Sequence, residues 1–299
     1  MSAPRLEKLL QQIGTLPTLP TVLMRVTELV NNPKTSALQL ARVILDDPSL
    51  TARLLRLVNS PFYGFPRRIA TVTEAITILG FHQVRNLIFS ASVVDLLSVE
   101  ETADFSPVRF WEHSVGVAVA SGLIARHIRH EDREEVFVAG LVHDLGKLVE
   151  FQLVRKEFAE ALALARTEDV PLRVAEQRVL GFTHDQVGRL LAEHWKLPVR
   201  LTEAVACHHR PDLSQGAKRE AAAVHVADIL VRALGFGAAG DDAVPPLEEE
   251  AWSRLRLPAG LLDSLVEDLD VQYHDALAIL LPVGEARGAR CERQHAHAR

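Results

Sequence analysis

Seven side chains in this chain could do chemistry together: His113, the adjacent pair His143 and Asp144, His184, the adjacent pair His208 and His209, and Asp228. Imidazole and carboxylate without cysteine suit borderline divalent metals such as Fe, Mn, Zn, Co or Ni. Four of these histidines lie on or at the ends of apolar helices, where an inward polar group must find a partner or bear the cost of desolvation. A shared cation satisfies several at once, so all seven are candidate metal ligands for one or two ions. Neighbours on a helix point about 100° apart, so His143 and Asp144 reach one ion only at a helix end or kink, and Gly146 supplies such an irregularity. Asp144 is the candidate bridge between two ions roughly 3.5–4 Å apart, an arrangement that activates water against a phosphodiester. Lys147, one turn on, is placed to hold a substrate phosphate as a point charge. Asp144 and Lys147 are therefore the candidate catalytic pair. The competing reading is an inherited site whose residues now bond one another and water.

The elements that must position these groups read as helices almost throughout, which predicts an all-α fold. Met24, Val26, Leu29 and Val30 share a helix face that Asn31, Asn32 and Pro33 end. Asp47 and Pro48 supply a cap and first turn for a helix carrying Leu50, Leu54, Leu57 and Val58. Thr73 is expected to start a short helix that Gly80 ends. Ser106 and Pro107 open one that puts Phe110, His113, Val117, Ala120 and Ile124 on one face, so His113 points inward. Asp132 and Glu135 form a candidate capping box ahead of His143. Helical stretches follow over 153–166, 172–180, 183–195, 198–209 and 220–234. Residues 236–246 read as a flexible linker, two weaker helices as 261–268 and 272–281, and 283–299 as a disordered tail. No alternating run bounded by hairpin turns calls for a strand.

Composition narrows the function. The 299 residues are 48% apolar and 24% charged with a net charge of -6, a globular profile and a poor one for non-specific duplex binding. Only 5% are aromatic, which argues against a base-stacking platform, so a nucleic-acid partner is not expected. Residues 1 to 98 hold 10 basic and 6 acidic groups, a mildly basic third set against an acidic remainder. The longest uncharged apolar stretch, 113–125, falls short of the roughly 20 residues of a spanning helix. Two cysteines, Cys207 and Cys291, make no disulfide framework, so the expected compartment is the cytoplasm and no membrane partner is expected. Phe62, Tyr63 and Phe65, with Arg67 and Arg68 beside them, crowd aromatics into one loop as a candidate partner-binding edge.

At these residues the chain resembles a known family. His113, the run HDLGK at 143–147 and Asp228 are similar to the signature of the HD superfamily of metal-dependent phosphohydrolases. LPTLP at 16–20, DDPSLTARLLRLVNSPFYG at 46–64, AITILGFHQVRNL at 75–87 and FTHDQVGRLLAEHWKLPVRLTEAVACHHRP at 182–211 look like the HDOD domain of bacterial signalling proteins. The resemblance covers roughly 9–235. It implies an HD-like bundle over about 106–235 and an N-terminal helical subdomain over about 9–100; beyond the linker, the residues read as C-terminal helices over 247–282. It also implies a regulatory signal-transduction module acting on partner signalling proteins. The alternative is a phosphohydrolase or phosphodiesterase acting on a nucleotide or cyclic dinucleotide. The seven-residue set is similar to that of the HD-GYP phosphodiesterases, but HHRPDLSQG at 208–216 stands where their GYP run is expected. Arg109 stands where some of them place a carboxylate ligand.

Overall fold

The computed structural model describes residues 6, 9, 11–12, 14–97, 99–241, 243–258 and 260–281, and among them there is helix and no strand. Asp47 behaves as its chemistry dictates: its carboxylate accepts the Leu50 amide at 2.9 Å, a cap of about 1 kcal/mol, with Pro48 in the first turn. The chain divides into two compact units, Pro20–Val94 with Asp270–Arg299, and Met1–Leu19 with Asp95–Leu269. The division thus falls at Val94 and assigns the segment from residue 247 onward to both units.

The smaller unit contains α1 (Thr21–Asn31), α2 (Ala37–Leu45), α3 (Pro48–Val58), α4 (Val72–Leu79) and most of α5 (Phe81–Leu96). Ser36 and Gln39 close a reciprocal capping box at the start of α2. The cap of α4 is Thr71, which accepts the Glu74 amide, instead of the expected Thr73. Asn59 ends α3 and ties down the loop beyond it. Its amide donates to the Leu55 and Ile69 carbonyls, and its oxygen accepts the Ile69 amide at 2.8 Å. Within that loop Tyr63 stacks on Phe65 with centroids 5.6 Å apart and meets Phe62 edge-on. All three rings are partly exposed.

The larger unit is built round α6 (Pro107–His127). One face was expected inside, yet every residue from Phe110 to Ala125 is buried, because α7 (Arg133–Val142) and α13 (Lys218–Ala233) pack on it and its residues are mostly small and uncharged. Asp132 precedes α7 without a side-chain cap bond, so the expected capping box is absent; the Asp132 carboxylate lies 3.6 Å from Arg200 instead. Then come α8 (Leu145–Leu153), α9 (Arg155–Glu168), α10 (Leu172–Val179), α11 (His184–His194), α12 (Val199–Cys207) and α14 (Glu249–Leu255). The stretch from 153 breaks at Val154, and the two helices expected after 260 are one, α15 (Leu261–Leu280), whose buried positions Leu261, Leu265, Leu269, Tyr273 and Ala276 keep helical spacing. No helix among the described residues is long and apolar enough to cross a membrane. The tail 283–299, with Cys291, lies outside the described residues.

Candidate metal centre

The HD pair sits at a junction. Val142 ends α7, Leu145 begins α8, and Asp144 between them has φ -101° and ψ 7°, so adjacent side chains turn into one space. Gly146 does something other than bend the chain. A Cβ there would lie 1.9 Å from the His184 carbonyl oxygen, so glycine lets α8 touch the N-terminus of α11. His184 opens α11, with Gln186 accepting the Thr183 amide. His208 follows the last residue of α12, and Asp228 lies on α13.

All seven predicted ligands meet. His143 Nε2 is 3.2 Å and His113 Nε2 3.8 Å from Asp144 Oδ2. His184 Nε2 is 3.2 Å and His208 Nε2 3.7 Å from the other oxygen, Oδ1. Asp228 Oδ1 lies 3.1 Å from His113 Nε2 and 3.9 Å from His143 Nε2, and His209 Nε2 is 2.8 Å from His184 Nε2. Two donor groups therefore flank one carboxylate: His113, His143 and Asp228 on one side, His184, His208 and His209 on the other, with donor atoms in each trio within 4.8 Å of one another. Six of the seven are almost completely buried; His209 is partly exposed.

The far edge of the rings fixes their tautomers. Nδ1 of His143 meets the Gly140 carbonyl at 2.7 Å, and Nδ1 of His208 meets that of Val205 at 2.7 Å. Nδ1 of His184 meets Glu176 Oε2 at 2.7 Å, and the same oxygen accepts the His184 amide. Each bond turns Nε2 inward as a lone pair, the arrangement that orients metal-binding histidines. Burial and the neighbouring His143 push His208 down to about 3, and burial with His208 and His184 pushes His209 well down. Burial lowers His113 against the pull of Asp228. Burial alone would raise Asp144, but His143 and Lys147 outweigh it and hold the carboxyl well below its usual range. Asp228 is held down in the same way by Arg232 and His113. The lowered His113, His208 and His209 and the ionised Asp144 and Asp228 form a donor set that fits a divalent cation. Among the described residues, His113 Nε2, His143 Nε2, His208 Nε2 and Asp144 Oδ1 are buried without a hydrogen-bond partner.

Lys147 stands differently from the sequence expectation. Its ammonium is fully buried, donating to Asp144 Oδ2 at 2.6 Å and to the Ala239 carbonyl at 2.8 Å. It holds the Asp144 carboxylate and is sealed from solvent. The presumed linker is a strap across the same region. Arg109 donates to the Gly237 carbonyl, Ala238 donates to the Arg109 carbonyl, and Asp241 accepts Arg232 and the Leu172 amide. A Cβ at Gly237 would lie 2.2 Å from the His113 amide nitrogen, so its glycines serve close approach. A cavity of about 270 Å³ reaches His184 and His209, with Arg173, Arg210 and Arg232 in its wall.

Sequence reasoning missed several of these groups. Arg232 bonds Asp228 at 2.8 Å from one turn on, a spacing that was legible. Glu176 carried no local signal. Behind it, burial and the Glu176 carboxylate push Glu150 well up. Trp195 donates to the Pro17 carbonyl.

Comparison with known proteins agrees with the architecture. An uncharacterized protein of Treponema pallidum (strain Nichols) is 24% identical over 234 residues, 75% of this chain, which spans only 43% of that relative's length. The crystal structure of an HDOD domain protein of unknown function from Geobacter sulfurreducens superposes with a TM-score of 0.75 at 27% identity, covering 92% of this chain and 98% of that one. A Shewanella amazonensis SB2B protein provisionally named a phosphohydrolase shares the fold, with a TM-score of 0.68 at 24% identity over 91% of this chain and 97% of that one. The model of the HDOD domain matches residues 16–211, more than half the sequence, and the chain belongs to the HDOD family.

Proposed function

We propose that the chain is an HDOD signalling module built round a divalent metal centre, working in the cytoplasm through contact with other signalling proteins. The four buried donor atoms without hydrogen-bond partners carry the metal reading. A buried polar atom left unsatisfied costs about 1–3 kcal/mol. A cation among the seven ligands satisfies them together, and Fe, Mn, Zn, Co or Ni suits the donor set. The partly exposed Phe62, Tyr63 and Phe65, beside exposed Arg67 and Arg68, support a partner-binding edge.

One observation favours a second reading, a metal-dependent phosphohydrolase acting on a nucleotide or cyclic dinucleotide. The cavity wall joins His184 and His209 to Arg173 and Arg210, which is where an anionic group would be held. An ion held by His184, His208 and His209 would supply a polarised water there. In this reading Asp144 bridges the two donor groups, Lys147 positions Asp144, and the arginines take the phosphate role that the sequence assigned to Lys147.

Elemental analysis of tag-free protein, followed by a hydrolysis screen over nucleotides and cyclic dinucleotides, tests both readings. Bound metal without turnover supports the module. Turnover lost in Asp144→Ala supports the enzyme, and metal-free protein that takes up no added ion refutes the centre.

A further inference from the structure

The two oxygens of Asp144 are not equivalent. Oδ1, facing His184 and His208, accepts no hydrogen bond from the described residues. Oδ2, facing His143 and His113, already accepts the Lys147 ammonium at 2.6 Å. The same contrast extends to Asp228, whose Oδ1 accepts Arg232 at 2.8 Å. Both carboxylates on the His113 side therefore carry a protein cation, whereas the other side offers three imidazoles and one bare oxygen. A divalent ion approaching Oδ2 meets a like charge in a buried, weakly screened place.

Lys147 is also anchored against moving aside. Its second bond goes to the Ala239 carbonyl, and the adjoining residues Gly237 and Ala238 are bonded to Arg109 at the start of α6. Releasing the ammonium from Asp144 requires this strap to give. On the other side, His184 and His209 line the cavity, so an ion there is reached without disturbing the strap.

We propose that the centre fills unequally: one divalent ion is held tightly by His184, His208, His209 and Asp144 Oδ1, while the Lys147 ammonium stands in for the second ion at Asp144 Oδ2. The proposal rests on the metal reading above and adds which ligands hold the ion. It makes Lys147 a positioning residue that sets metal stoichiometry.

Equilibrium dialysis of the full chain against Mn²⁺, with metal counted per chain, tests it. The wild type is expected to hold one tight ion, His113→Ala to keep it, His184→Ala to lose it, and Lys147→Met to take up two. Lys147→Gln, which keeps a donor without the charge, serves if the methionine variant does not fold, and is expected to gain the second ion as well. Two ions of equal affinity in the wild type, or loss of the tight ion in His113→Ala, overturns the proposal while leaving the metal centre standing. A wild type that takes up no ion refutes the metal reading itself.

Discussion

Gly146→Ala separates local propensity from tertiary packing, because the two predict opposite signs. Gly146 lies in α8, and alanine inside a helix is ordinarily better than glycine by about 1 kcal/mol. Here the added Cβ would sit 1.9 Å from the His184 carbonyl oxygen and 2.9 Å from the Gly188 amide nitrogen. Both obstacles are backbone, so no rotamer change relieves them, and the two helices must part by more than about 1 Å to restore van der Waals contact. Overpacking of this kind costs about 3 kcal/mol or more, which in a chain of this size lowers the melting temperature by roughly 6–12 °C. The same displacement draws His184 from Asp144, whose atoms stand 3.2 Å apart. Metal affinity is expected to fall by about 10–100-fold, as when a ligand loses its support. Calorimetry of the metal-free protein and Mn²⁺ titration read the two effects, with Gly260→Ala as the control, since a Cβ there meets nothing within 4 Å. A Gly146→Ala protein that melts at or above the wild-type temperature and binds metal normally refutes the close-packing argument.

Three further outcomes are expected. Glu176→Gln replaces the carboxylate on His184 Nδ1 with an amide and is expected to weaken metal binding by about 10-fold with little loss of helix content; unchanged affinity in a Mn²⁺ titration excludes an orienting role. His208 is held down to about 3 from its ordinary 6.5, and the unfolded chain therefore binds its proton first. The stability this contributes is intact above pH 6.5 and is lost as the pH falls toward 3, by about 1.4 kcal/mol per unit for the one group. Urea midpoints of the metal-free protein are accordingly expected to drop between pH 7 and 5, whereas a flat profile would place His208 in water. Asn59→Ala removes the bonds to Leu55 and both polar groups of Ile69 and is expected to cost about 2 kcal/mol; an unaltered urea midpoint would show that the aromatic loop holds itself.

The helices were legible because their signals are local. Asp47 and Pro48 mark a start whichever surface α3 later covers, and the spacing of Phe110, His113, Val117, Ala120 and Ile124 turns His113 inward from sequence alone. What misled was competition for the same side chains. Asp132 has the right position for a cap, yet Arg200 lies 3.6 Å from its carboxylate, and capping strength read from residue type cannot anticipate a distant cation. The tract at 236–246, expected as a flexible linker, poses another ambiguity. Glycine permits flexibility and close approach equally, and only the backbones of Arg109 and His113 pressed against Gly237 decide between them.

The site divides along the same line. That these seven side chains converge was readable, since imidazoles and carboxylates on apolar helices have few ways to be satisfied and the junction at His143 and Asp144 has one inward direction. The asymmetry of the centre was not readable, because it depends on which oxygen of Asp144 Lys147 reaches. That choice is made by the Ala239 carbonyl, 92 residues away along the chain. A lysine one turn from a metal-binding carboxylate can face a substrate or neutralise the carboxylate, and its sequence spacing is identical in the two cases. Here the ammonium is sealed from solvent with two oxygen partners, which supports the second. In the proposed centre, the strap that holds Lys147 therefore matters as much as the seven converging side chains.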